Sequence, residues 1–251
     1  TALRYSDYDG FDPHTTGEIA YGYRFGPVAQ LFVATATGFR APDSTDRFGF
    51  GGNPDLLPER SKHAELGARL QPAPAHRLNL QAFWNEIDNL INCVDPDGFG
   101  GPTPCMNQNI DRARIRGIEL GYRYNQGPWR LNVEGISQDP ENLDTHRQLA
   151  RRAARSLTVG GGYSSKSYSL AVNVLAQDSR WDSDFSSTRL PAYALVNLLG
   201  DYRIAPDWTL GVRIVPVGLV YGAKPSFRSR VAVWSGAPLA LDDLRAQYGA
   251  D

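Results

Sequence analysis

Two aspartates in a turn-rich stretch are the nearest approach of this sequence to a metal site. Asp95 and Asp97 lie in the segment DPDG, and Ca²⁺ prefers hard oxygen ligands of this kind. The later ligands and the bidentate glutamate of an EF-hand loop do not follow, so a surface turn explains the segment better. The four histidines, at positions 14, 63, 76 and 146, lack the spacing of a zinc site. We predict no bound metal and no resident cofactor.

Catalytic motifs do not stand out in the sequence. It contains no Gly-x-Ser-x-Gly nucleophile elbow and no glycine-rich loop that would cradle a phosphate. Its carboxylates are numerous, yet spacing alone assigns no pair of them to acid–base work. We therefore predict that the protein is not an enzyme.

Cys93 and Cys105 lie close together in a segment rich in Gly, Pro and Asp. Two unrelated thiols are one interpretation of this pair. In an oxidising compartment, a disulfide that closes the loop between them is the favoured prediction.

The elements that must position these segments are strands with two different faces. The run RIRGIELGYRY, residues 114–124, alternates apolar and aromatic side chains with Gly, Glu and Arg. After a turn at residues 125–128 the chain returns as WRLNVEG with the same alternation. Because successive side chains of a strand point to opposite faces, this pattern predicts a hairpin with aromatic rings at its turn end. A membrane interface favours Tyr and Trp at that level.

The same hairpin recurs along the chain, always with a short turn beside aromatic residues. Together these residues predict one aromatic girdle: Tyr21, Tyr23, Tyr122, Tyr124, Trp129, Tyr163, Tyr168, Tyr202 and Trp208. At the other ends, long polar connections cover approximately residues 39–61, 91–111, 138–153 and 177–190. Short turns on one side and long loops on the other are typical of outer-membrane barrels.

Composition agrees with this interpretation. No run of about 18 apolar residues occurs, which excludes transmembrane helices. The mean hydropathy of −0.39 does not exclude a transmembrane barrel, because the polar face of each strand offsets its lipid face. A net charge of −1 and the lack of a basic patch argue against nucleic acid as a partner.

We predict an all-β fold, an antiparallel transmembrane β-barrel to which this chain contributes about ten or eleven strands. Bacterial single-chain barrels generally have an even number of strands and close on themselves. We therefore expect the chain to be the C-terminal part of a larger barrel. Residues 1–222 form the predicted barrel segment, and residues 223–251 form an atypical C-terminal tail. In that tail, residues 227–234 alternate as a last strand would, before a short helix or a disordered end.

Four segments carry a resemblance to a known family. GFRAP at 38–42 is followed by GNPDLLPERS at 52–61, NEIDNLI at 85–91 and RIRGIE at 114–119. In this order they resemble the second half of a TonB-dependent outer-membrane receptor, in particular the vitamin B12 (cobalamin) transporter branch. The resemblance covers approximately residues 3–214. It implies a barrel of about 22 strands in the bacterial outer membrane, in contact with its lipid.

The resemblance also implies a function. Receptors of this family bind a scarce small-molecule nutrient, here cobalamin, through extracellular loops and without covalent chemistry. They need a plug domain inside the barrel and an N-terminal segment that contacts the TonB complex. Neither is present in this chain, and we expect a fuller protein or another polypeptide to supply them.

Two of the long loops contain the candidate ligand contacts. By register, the resemblance assigns Arg151 and Phe185 to the positions where cobalamin receptors have a polar arginine and an aromatic residue over the ligand. Arg180, Trp181 and Asp182 in the second loop complete the candidate set. The family often has Tyr at the position of Phe185, so Phe185 offers packing without a phenol hydrogen bond. An ordinary polar loop, with Arg151 facing the lumen, is the simpler alternative.

Other functions stay open at this point. A siderophore or haem receptor of the same family would have the same barrel, and ligand competition would distinguish it. A soluble all-β ligand-binding module would need the apolar face to be a core, and partition into detergent would test that. An inactive receptor fragment is the third alternative.

Overall fold

The fold is known from a computed structural model, which describes residues 1–94, 106–182, 188–216, 219–220 and 229–236. Almost all regular structure in these ranges is β-strand. The strands are β1 (Ala2–Ser6), β2 (His14–Phe25), β3 (Ala29–Arg40), β4 (Glu59–Ala73), β5 (His76–Val94), β6 (Met106–Gln126), β7 (Trp129–Asn142), β8 (Arg155–Ser164), β9 (Tyr168–Gln177), β10 (Arg180–Trp181), β11 (Arg189–Leu190), β12 (Tyr193–Ala205), β13 (Trp208–Pro216), β14 (Leu219–Val220) and β15 (Ser229–Gly236). One short helix, α1 (Ser44–Phe48), lies between β3 and β4. In the described part of the chain, no helix is long and apolar enough to cross a membrane.

All strands except β10 and β11 form one antiparallel sheet, in which most strands pair with their neighbours along the chain, while β10 and β11 form a separate two-stranded sheet. The sheet has thirteen strands, with the order β1 to β9, then β12, β13 and β15, and β14 pairs with β12 beside this path. The sequence predicted about ten or eleven strands, which is close to this number, and β14, with two residues, is too short to show an alternation. Among the described residues β1 pairs with β2 and β15 with β13, and the sheet does not close on itself.

The predicted segregation of short turns and long loops is confirmed. Turns of two or three residues join β2 to β3, β4 to β5, β6 to β7, β8 to β9 and β12 to β13. Gly26 and Gly127 have φ values of 61° and 56°, a conformation that glycine adopts without steric cost. We call this edge the short-turn end. At the opposite edge, the long-loop end, the connections cover residues 41–58, 95–105, 143–154 and 178–192.

The two faces of the sheet differ in polarity. Val133, Val159, Val174 and Val196 are register partners across β7, β8, β9 and β12, on what we call the apolar face. The neighbouring row on the polar face consists of Asn132, Gly160, Asn173 and Asn197. Leucine and isoleucine on the apolar face are exposed, as at Leu66 (61%) and Ile118 (63%). An apolar surface that no described part of the chain covers is what a lipid-facing sheet requires.

Strands β5 and β6 are longer than a membrane crossing needs. They contain 19 and 21 residues, whereas about 9–11 tilted residues span a bilayer. Towards the long-loop end the apolar face becomes charged, and cross-strand ion pairs join Arg114 to Glu141 and Arg116 to Asp139. The sheet therefore extends beyond the apolar band on the long-loop side.

The small buried core also lies at the long-loop end. Ala113 and Ile115 of β6 pack with Leu149 of the 143–154 loop, and all three are at least nine-tenths buried. Phe83, Ile87 and Leu90 of β5 pack against this cluster. Because Phe83 and Ile87 share the polar face by register, the loop folds over that face of the sheet.

The C-terminal residues bear on the predicted domain boundary. Strand β15 pairs with β13 in antiparallel register, near the strand expected at residues 227–234. Residues 223–228 and 237–251 lie outside the described residues. The division at residue 222 and the nature of the tail stay predictions.

Candidate ligand-binding site

The 143–154 loop is held in one conformation by local hydrogen bonds. The Asn142 side-chain oxygen accepts bonds from the backbone N–H groups of Asp144 and Thr145, at 2.9 and 3.0 Å. Further along, the N–H of Leu149 donates to the carbonyl of Pro140 at 2.9 Å. With Leu149 buried against β6, these bonds fix the direction in which the following residues leave the sheet.

Arg151 connects this loop to the 178–192 loop. Its φ of 58° is unusual for a residue with a side chain. In this conformation its N–H donates to the carbonyl of Trp181 at 2.7 Å, and Nε donates to the carbonyl of Asp182 at 3.0 Å. The Asp182 carboxylate lies 3.7 Å from Nε. Because the Arg151 side chain is still 76% exposed, these bonds orient it without burying it.

Trp181 lies between two further guanidinium groups. The short ladder of β10 and β11 pairs Trp181 with Arg189. The Cζ atom of Arg189 lies 5.8 Å from the Trp181 ring centroid, and that of Arg147 lies 5.9 Å from it. Both distances are within the range of a cation–π interaction. Trp181 therefore receives side chains from both loops.

Arg180 points to the base of the same loop. Its Nη1 donates to Oε1 of Gln177 at 3.0 Å, and its Cζ lies 5.6 Å from the ring centroid of Tyr193. The hydroxyl of Tyr193 donates to the same Gln177 oxygen at 2.6 Å. Gln177 and Tyr193 are register partners at the ends of β9 and β12. Arg180 thus stabilises the point where the loop leaves the sheet.

Of the five predicted ligand contacts, the structure joins Arg151 to Trp181 and Asp182. Arg180 precedes Trp181 in the chain but contacts Gln177 and Tyr193. Phe185 lies outside the described residues, so its role stays a prediction. The sequence argument did not select Arg147 and Arg189 as contacts. The signal that could have found Arg189 is the hairpin within the loop, which pairs it with Trp181.

The predicted disulfide and the two aspartates of the DPDG turn lie in or beside an undescribed stretch. Cys93 is the register partner of Asn107 near the end of β5, whereas Cys105, Asp95 and Asp97 lie outside the described residues. The disulfide between Cys93 and Cys105 therefore stays a prediction. Within the described ranges, no group of three His, Cys, Asp or Glu residues is arranged to hold a metal.

The neighbouring 41–58 loop is fixed separately. Asn53 donates from its side chain to the Asn107 carbonyl at 3.1 Å, and Asn107 returns a side-chain bond to the Asp46 carbonyl at 3.0 Å. Asn109 donates to the carbonyls of Leu57 and Asn89 at 2.9 and 2.8 Å. Amides of β6 thus hold this loop against the sheet beside the site.

Glu141 is the charged group whose environment changes its titration most clearly near these loops. His146 lies 2.9 Å from one carboxylate oxygen, and Arg114 binds the other at 2.5 Å. The hydrogen bond from His146, together with those from Arg114, lowers the pKa of the Glu141 carboxyl below its usual value. Glu141 lies beyond the apolar band, beside the exposed ring of His146 and the partly buried side chain of Arg114.

The side chains that these loops bring together suit the binding of a ligand. They include exposed guanidinium groups, an indole ring and one carboxylate, which suit hydrogen bonding, ion pairing and stacking. No nucleophile stands beside a general base among the described residues of these loops.

Comparisons with known proteins agree with this architecture. Residues 1–214 match the family model described as TonB dependent receptor-like, beta-barrel. The chain belongs to the TonB-dependent receptor family. It is 30% identical over 215 residues to the vitamin B12 transporter BtuB of Vibrio vulnificus, which covers 85% of this chain and 34% of that protein. It is 26% identical over 217 residues to BtuB of Photobacterium profundum, with 85% and 35% covered. The chain thus spans about a third of the length of these relatives.

Solved structures show the same fold with different ligands. The copper transporter OprC superposes with a TM-score of 0.68 at 18% identity, covering 81% of this chain and 34% of that one. The ferric enterobactin receptor PfeA of Pseudomonas aeruginosa superposes with a TM-score of 0.67 at 18% identity, covering 85% and 36%. The predicted all-β antiparallel barrel fold is therefore confirmed.

Proposed function

We propose that this chain forms part of the barrel, with its extracellular loops, of an outer-membrane TonB-dependent transporter that takes up vitamin B12. The observation that carries the proposal is the contact between the 143–154 and 178–192 loops through Arg151 and Trp181. It collects polar and aromatic side chains from two loops above the polar face. The similarity to two vitamin B12 transporters supports cobalamin as the transported ligand.

In this proposal the extracellular loops bind cobalamin without covalent chemistry. Arg151 and Asp182 supply hydrogen bonds, while Trp181 and Phe185 supply packing. A plug domain inside the closed barrel releases the ligand when the TonB complex acts on the plug. The protein is a transporter and not an enzyme, and cobalamin is its cargo rather than a cofactor.

A siderophore or haem receptor is the main alternative. The similarity of the fold to a ferric enterobactin receptor and the arginines of the two loops favour it. The soluble-module alternative is weakened by the exposure of Leu66 and Ile118, because a soluble sheet would cover its apolar face. A fragment without activity is tested by the same binding experiment.

The experiment is cyanocobalamin binding to outer membranes from cells that express the complete receptor. Wild type is compared with Arg151→Ala, Phe185→Ala and the control Lys166→Ala, which lies in a short turn at the opposite end. We expect saturable binding that Arg151→Ala weakens about tenfold, the usual effect of losing a charged hydrogen bond. The control should bind as wild type does. A heat-modifiable receptor that binds no cyanocobalamin would contradict the vitamin B12 assignment and favour the siderophore class.

A further inference from the structure

Among the described residues that form the loop site, arginines outnumber carboxylates. Four arginines lie in or beside it: Arg147, Arg151, Arg180 and Arg189. Among the described residues that contact this group, Asp182 supplies the carboxylate, and it pairs with Arg151. Arg180 is hydrogen-bonded to the neutral amide of Gln177, so its charge is not compensated there.

In the described structure, the guanidinium groups of Arg147 and Arg189 lie near the indole ring of Trp181, and both side chains are exposed. An indole face orients a guanidinium but carries no net charge to neutralise it. The edges of both groups, with their N–H donors, therefore stay available for a ligand. A guanidinium presents these donors in a planar fork that matches two oxygens of a phosphate or carboxylate.

Two arginines of β6 at this end of the sheet differ from Arg147 and Arg189, because each pairs with a carboxylate. On the charged extension of the apolar face, Arg114 pairs with Glu141 and Arg116 with Asp139, each with its register partner on β7. Those pairs are local and compensated. The loop arginines instead come from two separate segments and converge on one ring, which concentrates positive potential above the polar face.

We propose that Arg147 and Arg189, held on Trp181, form an oxyanion-recognition site for a group on the transported ligand. The inference rests on the proposed function and names the ligand chemistry of the same site. In cobalamin this group is the phosphodiester that links the nucleotide to the corrin ring. In a ferric siderophore it is an anionic catecholate or carboxylate. Both sources present the paired oxygens that a guanidinium fork binds.

The test uses the complete receptor in outer membranes and two pairs of probes. Cyanocobalamin is compared with dicyanocobinamide, which has the corrin ring but no phosphodiester. A ferric tricatecholate, which is anionic, is compared with a neutral ferric trihydroxamate. Each dissociation constant is measured for wild type, Arg147→Gln, Arg189→Gln, the double variant and the control Lys166→Gln, with heat-modifiable migration as the check that every variant is folded.

The expected result is that the member of one pair that carries the oxyanion, cyanocobalamin or the ferric tricatecholate, binds about tenfold or more tightly than the member that lacks it. The double variant should remove this difference and leave binding of the other member unchanged, while Lys166→Gln should preserve the difference. If the difference appears only in the catecholate pair, the oxyanion site stands and the vitamin B12 assignment fails. Equal binding within both pairs, or a double variant that weakens both members equally, overturns the oxyanion site. Saturable binding of none of the four probes overturns both proposals.

Discussion

At the short-turn end, the sheet is joined by residues that are neighbours in the sequence, whereas at the long-loop end it is joined by residues far apart. Tyr163 and Tyr168, five positions apart, stack across one short turn with their ring centroids 5.6 Å apart. Arg151 and Asp182 are 31 positions apart, and Asn53 and Asn107 are 54 positions apart. The first end follows from strand alternation and membrane solvation, while the second depends on which loops happen to meet.

This difference explains why one fold serves receptors with different ligands. The apolar face and its turns need only satisfy lipid and backbone hydrogen bonding, which any receptor of the family must do. The loops are free of that constraint, so their side chains can vary with the ligand. Arg147, Trp181 and Arg189 belong to the long-loop end.

The largest effect is expected when a charge is placed on the apolar face of a strand. Leu120→Arg places a charge in the middle of the apolar face and should cost about 2–4 kcal/mol of unfolding free energy in lipid vesicles. Glu119→Arg, the matched change on the exposed polar face, should stay within about 0.5 kcal/mol. Urea unfolding of the complete receptor measures both. Equal losses would show that the two faces are not distinguished by lipid.

The next effect distinguishes the local stability of the 143–154 loop from the stability of the sheet. Leu149→Ala leaves a cavity beside Ala113 and Ile115 and should cost about 2–3 kcal/mol of local stability. Hydrogen exchange should become faster in residues 143–153, while β6 to β9 stay protected. Leu57→Ala, at a leucine that is 55% exposed in the neighbouring loop, is the control and should change neither. A fall in global stability with unchanged loop protection would contradict the separation.

A smaller effect is expected at the girdle. Trp129→Ala removes the edge-to-face contact with Tyr163 and should lower unfolding free energy in vesicles by about 0.5–1.5 kcal/mol beyond the lost area. Trp129→Phe keeps a ring and should recover most of that loss. Ligand binding should be unaffected in both variants, because the contact is local to the short-turn end. Weakened ligand binding in a fully folded variant would count against that locality.

The smallest effect is a pH dependence of the 143–154 loop. Because the folded-state pKa of Glu141 is lowered, its pairing contributes fully above the usual pKa of a glutamate and is lost as the pH falls through the lowered value. Hydrogen exchange of residues 143–150, corrected for intrinsic rates, should therefore rise as the pH falls below about 4.5. Glu141→Gln should flatten this response. The same profile in wild type and variant would assign the effect to another group.

Sequence reasoning found most strands but drew several of them too short. It expected a connection over residues 91–111, whereas β5 continues to Val94 and β6 begins at Met106. Above the apolar band no lipid selects for alternating apolar residues. The polar side chains of Asn107 and Asn109, which bind the 41–58 loop, therefore resemble a loop in sequence.

The candidate site was predicted in part for a related reason. Arg151 was selected by resemblance and register, and Arg180, Trp181 and Asp182 as members of the second loop; the structure joins Arg151 to Trp181 and Asp182. Arg147 and Arg189 were not selected, because exposed arginines in polar loops are common and nothing local distinguishes them. Their shared contact with Trp181 exists only after β10 pairs with β11 and Leu149 anchors the other loop.

From the sequence alone one can predict most of the strands, their two faces, the aromatic girdle and the side on which the long loops lie. These features depend on a period of two and on solvation by lipid and water, which act on each hairpin separately. Which loops meet, and therefore which arginines lie near Trp181, is visible only in the folded structure. That arrangement depends on packing and hydrogen bonds between distant segments, whose energies no local pattern of residues contains.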